Sequence, residues 1–227
     1  MKILRAPVLF AAALFITALC ASGELTTATA PVLNVPAGEP FAPDLTKPLG
    51  KEWQVVKGEW KAEGGELRGD ELPADKHSAV LGHPGKVETL ILTCEFRLGG
   101  ANTFYVGFDG ARHVGRLVIH ANSAGLFEDS PDPNLKPGEK QGSKPLMTHP
   151  VKLKPDEWLP LTLEIRGDDL TALVAGVQLK GQHPFLATPK ARFWFAVGGK
   201  DLRIRNLKVW EARANPEWPN IRGQFGK

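Results

Sequence analysis

The run Thr89-Leu90-Ile91-Leu92-Thr93-Cys94-Glu95-Phe96-Arg97-Leu98 decides the fold class. Leu90, Leu92, Cys94, Phe96 and Leu98 fall on one side of a two-residue period. Thr93, Glu95 and Arg97 fall on the other. Alternation of this kind marks a β-strand with one face in a core and one face outside. The same rhythm recurs on both sides of it. Phe104, Val106 and Phe108 alternate with Tyr105, Gly107 and Asp109, and Asp109-Gly110 is a turn signal. Leu161, Leu163 and Ile165 alternate with Thr162, Glu164 and Arg166.

Working outward, the other segments are short and bounded by Gly, Pro and Asp. Trp53 to Val56 and Trp60 to Ala62 read as strands around a Lys57-Gly58 turn, and Glu66 to Gly69 continues that meander. Ser78 to Leu81 and His113 to His120 read as further strands. Leu170 to Ala175 and Val177 to Leu179 flank Gly176 as a hairpin, and Arg192 to Val197 and Leu202 to Trp210 close the domain. Residues 128–150 carry five prolines and break the rhythm. They are expected to form a long loop, either a rim beside a site or a plain surface insertion. With no amphipathic helix and no repeat, the reading is an all-β, two-sheet antiparallel β-sandwich whose first and last strands pair.

The ends lie outside that domain. Lys2 and Arg5 precede the apolar stretch Val8 to Leu19, and Ala21-Ser22-Gly23 offers small residues for cleavage before Glu24. Residues 1–23 therefore read as an export signal, too short to span a bilayer comfortably. Lipoprotein processing at Cys20 is the alternative, disfavoured by the bulky Leu19 before it. Residues 24–40, rich in Thr, Ala, Pro and Gly, read as a flexible leader; 41–211 is the domain and 212–227 a tail. The protein is expected in the periplasm or outside the cell, with no membrane span and as a monomer.

The formal net charge of +3 includes the two cations of the export signal, so charge gives no reason to expect nucleic acid. Cys94 is the one cysteine past the leader. It reads as a small buried hydrophobe, so stability has to come from packing. The six histidines lack metal-ligand spacing. Asp129, Asp132 and Asn134 bring oxygen ligands close together and leave calcium as an alternative, but they lack the spacing of a calcium loop and read first as a solvated acidic turn. No metal and no cofactor are expected. Trp53, Trp60, Trp158 and Trp210 read as core anchors, whereas Trp194 and Trp218 stay open.

Three stretches carry a resemblance. They are Trp53 to Gly69 (W-x4-G-x-W-x3-G-G-x-L-x-G), Leu92-Thr93-Cys94-Glu95-Phe96-Arg97-Leu98, and Arg203-Ile204-Arg205-Asn206-Leu207-Lys208-Val209-Trp210. They resemble the 3-keto-disaccharide hydrolase-like domain of secreted bacterial proteins, a concanavalin A-like jelly roll. The resemblance covers residues 41–211. Where that family continues with Asn-Ser-Gly and Tyr-Glu-x-Gln-x-x-Asp, this chain has Ala101-Asn102-Thr103-Phe104-Tyr105 and then His113-Val114-Gly115-Arg116-Leu117-Val118-Ile119-His120. The E-x-D-x-x-E strand of laminarinase-like glycosidases is absent.

Strand parity turns Glu95, Arg97, Tyr105, Asp109, Arg116, His120, Glu164, Arg166 and Trp194 away from the core. Converging, they would make a polar floor with an aromatic platform, which suits sugar hydroxyls and C–H faces. One register slip inverts any such face. The resemblance implies cleavage of a 3-keto-glycoside: a base takes the acidified C2 proton, a cation holds the enolate, and an acid protonates the leaving oxygen. Glu95 or His120 is then the candidate base, Arg97 or Arg116 the stabiliser, and Asp109 or Glu164 the acid. Tyr105, Arg166 and Trp194 would bind substrate. The E-x-R pairs Glu95/Arg97 and Glu164/Arg166 also have a plain reading as solvated ion pairs of about 0.2–1 kcal/mol. Two alternatives accompany the hydrolase: a non-catalytic carbohydrate-binding module, and an envelope interaction protein without a sugar ligand.

Overall fold

The computed structural model describes residues 31–85, 87–136, 138 and 142–224. The export signal and its cleavage site lie outside the described residues. The strands, in chain order, are β1 (Asn34–Pro36), β2 (Gln54–Lys57), β3 (Glu59–Glu63), β4 (Glu66–Asp70), β5 (Ala79–Pro84), β6 (Thr89–Arg97), β7 (Ala101–Asp109) and β8 (His113–His120). They continue as β9 (Ser123–Glu128), β10 (Lys144–Pro150), β11 (Leu159–Arg166), β12 (Asp169–Val174), β13 (Val177–Gln182), β14 (Arg192–Gly199) and β15 (Leu202–Ala214). One turn of helix, α1 (Trp218–Ile221), follows.

Two antiparallel sheets form a sandwich. Sheet I runs β13-β12-β11-β6-β15-β4-β3, with β1 also paired to β15. Sheet II runs β10-β9-β8-β7-β14-β5-β2. The expected pairing of chain ends is met by β15, which binds β4 through Ile204↔Leu67 and β1 through Arg213↔Val35.

The core lies between the sheets and is built by the predicted alternation. Leu90, Leu92, Cys94, Phe96 and Leu98 face Phe104, Val106 and Phe108 and the β14 residues Phe193, Phe195 and Val197 in one buried cluster. Phe96 and Phe104 bridge the sheets with ring centroids 5.4 Å apart. Burial pushes the Cys94 thiol far above its ordinary range.

Three expectations are corrected. First, β2 and β3 are not a hairpin: β2 joins β5 in sheet II, while β3 joins β4 in sheet I. The chain crosses between sheets at Gly58, where φ is +70° and a Cβ would sit 2.1 Å from the Ala79 Cβ, so only glycine fits the turn. Second, the long loop is shorter than expected. Lys144–Pro150 is a strand paired with β9, itself a strand not anticipated from the sequence. Its prolines are tolerated because β10 is a sheet edge, where a missing N–H breaks no ladder. Third, the last part of the expected flexible leader is tied down. Val32, Leu33 and Asn34 donate their backbone N–H groups to the Glu164 carboxylate at 2.8, 3.1 and 2.8 Å. Among the expected anchors, Trp53 and Trp60 are buried. Trp158 is instead half-buried outside sheet I, with the Arg205 guanidinium 4.2 Å and that of Arg97 5.1 Å from its ring centroid.

Candidate functional site

The outer face of sheet II carries the most developed polar constellation. Alternation along β14 sends Phe193 and Phe195 inward and leaves Arg192, Trp194 and Ala196 outside. On β7 the outward residues are Tyr105, Gly107 and Asp109, and on β8 Arg116 is outward. Register aligns them: Trp194 sits opposite Gly107, Gly107 opposite Arg116, and Arg192 opposite Asp109.

Gly107 is what lets the indole lie down on the sheet. A Cβ there would fall 2.1 Å from Trp194 Cζ2, so any side chain would lift the ring. Lying flat, Trp194 is only 4 % exposed. The Arg116 guanidinium lies 5.6 Å from its ring centroid, and the His113 ring is also 5.6 Å away. Trp194 is therefore a covered anchor rather than the open stacking platform the sequence suggested.

Asp109 is the hub. Trp194 Nε1 donates to Oδ1 at 2.7 Å, the His113 Nδ1 atom lies 2.6 Å from the same oxygen, and Arg192 Nε donates to Oδ2 at 2.8 Å. Burial by itself pushes this carboxyl upward. Hydrogen bonds from His113 and Arg192, the charge of His113 and the indole N–H outweigh burial and hold it below its ordinary value. A carboxylate kept ionised, with both oxygens occupied, orients its neighbours; it is not built to hand a proton to a leaving group. Arg116 is fixed in turn by Asp129, which accepts from Nε at 3.1 Å and Nη2 at 2.5 Å, and Ser143 Oγ donates to Asp129 at 2.7 Å.

These residues line a cavity of about 210 Å³ with His77, Ser78 and Val80 from the start of β5. A larger concavity of about 550 Å³ lies beside β3 and β4, where most of the charges pair with one another: Lys61 with Glu59, Arg68 with Asp70, Arg203 with Glu66.

The sequence-derived candidates divide between the two outer faces, which are opposite sides of the molecule. Tyr105, Asp109, Arg116 and Trp194 meet in the sheet II cavity. His120 shares that face but sits at the far end of β8, with Nδ1 3.0 Å from the Asn102 carbonyl oxygen. From Thr103, beside His120, to Asp109 the extended strand covers about 20 Å. Glu95, Arg97, Glu164 and Arg166 belong to sheet I. Glu95 accepts from Arg205 Nε at 2.8 Å and Asn206 Nδ2 at 2.6 Å. Glu164 is shut beneath residues 32–34; burial raises its pKa against the pull of those backbone N–H groups and of Thr171. Arg166 lines a separate hollow with Asp168, Asp169 and Trp218. The expected convergence on one floor is thus replaced by two unconnected groups.

His113 and Arg192 were missed as site residues. Arg192 shares the parity of Trp194, which is the signal that marks it. His113 has the parity of the core residues Leu117 and Ile119, and a register shift between Phe108 and Asp109 brings it opposite Asp109 instead. Among the described residues, no group of three or more His, Cys, Asp or Glu is arranged to hold a metal ion.

No family model matches this chain, and no curated protein does. Solved structures do. A protein of unknown function with galectin-like fold from Bacillus subtilis superposes with TM-score 0.56 at 10% identity, covering 81% of this chain and 100% of that one. The carbohydrate-binding module CBM66 from Bacillus subtilis gives 0.54 at 10% identity, over 70% and 95%. A sialidase gives 0.55 at 11% identity, covering 82% of this chain but 19% of the sialidase. At such identity the likeness concerns the fold alone, a two-sheet antiparallel β-sandwich.

Proposed function

We propose that the protein is a carbohydrate-binding module that holds its ligand on the outer face of sheet II. The observation that carries this reading is the cavity of Tyr105, His113, Arg116, Arg192 and Trp194, in which the one acidic group, Asp109, is fully committed to orienting its neighbours. Polar groups preset in a small hollow select a ligand, whereas glycoside cleavage needs an acid and a base facing each other across it. The fold shared with the CBM66 module supports the same reading by analogy. The export signal at residues 1–23 would carry the protein out of the cytoplasm.

A second reading follows the resemblance to 3-keto-disaccharide hydrolases and rests on sheet I. There Glu95 keeps one carboxylate oxygen, Oε1, without a hydrogen-bond partner among the described residues, beside a groove of about 370 Å³ shared with Asn206 and Lys208. Glu95 would be the base and Arg97 or Arg205 the stabilising cation.

One paired experiment tests both. The purified full chain is applied to a glycan array and, separately, to 3-keto-glucosides with aglycone release as readout. Binding without release is expected. Release that disappears in Glu95→Gln would replace the module by the hydrolase. Neither binding nor release would defeat both readings and leave an interaction protein without a sugar ligand.

A further inference from the structure

The sheet II cavity brings together two arginines that each keep part of the guanidinium free. Arg116 spends Nε and Nη2 on Asp129, and Arg192 spends Nε and Nη2 on Asp109. Each keeps Nη1 without a partner among the described residues, and that of Arg192 lies over Gly82, 3.6 Å from where a Cβ would stand. His113 gives its Nδ1–H to Asp109 and His77 gives its own to the Ser78 carbonyl, so in the neutral ring each leaves Nε2 as an acceptor for a ligand hydroxyl. The Tyr105 hydroxyl has no partner among the described residues. Among the described residues, the only carboxylate in the lining is Asp109, and both its oxygens are taken.

A neutral sugar gives those guanidinium arms only uncharged acceptors. A carboxylate or sulfate accepts only, and its bonds from guanidinium groups are charge-assisted. At about 210 Å³ the hollow is smaller than the roughly 300–1,000 Å³ of drug-sized sites, so it takes one sugar unit and not a chain segment. Resting on the carbohydrate-binding reading above, we propose that the ligand is an acidic sugar unit, its anionic group held between Arg116 and Arg192 and bonded by Tyr105. A uronic acid and a sulfated sugar share that chemistry.

The test titrates the full chain with single sugars: galacturonate, glucuronate and galactose 6-sulfate against galactose and glucose. Binding is read by calorimetry in the wild type, Tyr105→Phe and Arg192→Lys. The lysine keeps a cation beside Asp109, so the fold is preserved while the second guanidinium arm is lost. The proposal predicts at least about tenfold tighter binding of an acidic sugar than of its neutral counterpart, and several-fold weaker acidic binding in each variant. Binding of the uronates alone, or of the sulfated sugar alone, supports it and assigns the anion. Equal binding of neutral and acidic sugars, weakened by Tyr105→Phe, overturns the acidic ligand and leaves the carbohydrate reading standing. Acidic binding that both variants leave intact and about 0.5 M salt abolishes is general charge attraction elsewhere, and overturns the proposal. No binding of any sugar defeats both.

Discussion

Asp109 shows how much one side chain settles on this surface. Its carboxylate ties β7 to the indole and guanidinium of β14 and to His113 at the start of β8. Because its pKa is held below the ordinary 3.8, the folded state binds fewer protons there than the unfolded chain does. The stabilisation is therefore complete above 3.8 and is lost as pH falls through the lower folded value. Melting curves from about pH 7 to about pH 3 should show the wild type losing stability on the acid side. Asp109→Asn should be less stable at neutral pH and flatter with acid. Equal slopes would remove Asp109 from this role. Gly107 gives a second residue-scale test. Gly107→Ala places a methyl group into the Trp194 ring and should cost about 1–3 kcal/mol in denaturant unfolding, with altered indole fluorescence. An unperturbed spectrum would show that the ring does not lie on the strand. At this scale the sequence was legible wherever alternation held: Tyr105, Asp109, Arg116 and Trp194 were all placed on an outer face by parity. His113 was not, because the register shift beside Asp109 inverts parity locally.

At the scale of elements, what parity cannot reveal is which sheet a strand joins. Glu95 and Asp109 both point away from the core, yet β6 and β7 belong to different sheets, so the two carboxylates face opposite directions in space. The same ambiguity hid the crossing at Gly58, which looks locally like a hairpin turn. The edge strand β10 was hidden by its prolines, whose usual meaning fails at a sheet edge. The strap at residues 32–36 was hidden for another reason. Its tether is Glu164, more than a hundred residues distant, and no local pattern announces three backbone N–H groups on one carboxylate. Glu164→Gln puts an amide nitrogen against some of those donors. It should destabilise the strap by about 1–3 kcal/mol and speed hydrogen exchange at residues 32–36 more than in the core strands. Unchanged exchange there would mean that the pairing of β1 with β15 alone holds the segment.

For the whole molecule, the sandwich has two outer faces that do different things. Sheet I spends several of its outward polar groups on structure: Glu164 on the strap, one oxygen of Glu95 on the β15 residues Arg205 and Asn206, Arg203 on Glu66. Asn206 adopts φ +53° where the β15–β6 register shifts, so part of the chain-end motif read from the sequence is a bulge that turns side chains toward Glu95. Sheet II instead leaves donors open around a covered tryptophan. That difference is why the proposed sugar site is put on sheet II. The most direct test is an amide NMR titration of the isotope-labelled full chain with a sugar that binds it. The account predicts shifts concentrated at Tyr105, Gly107, His113, Arg116 and the Trp194 indole N–H, with Glu95, Trp158 and Asn206 unmoved. Shifts concentrated at Glu95, Trp158 and Asn206 would place the ligand on sheet I and contradict it.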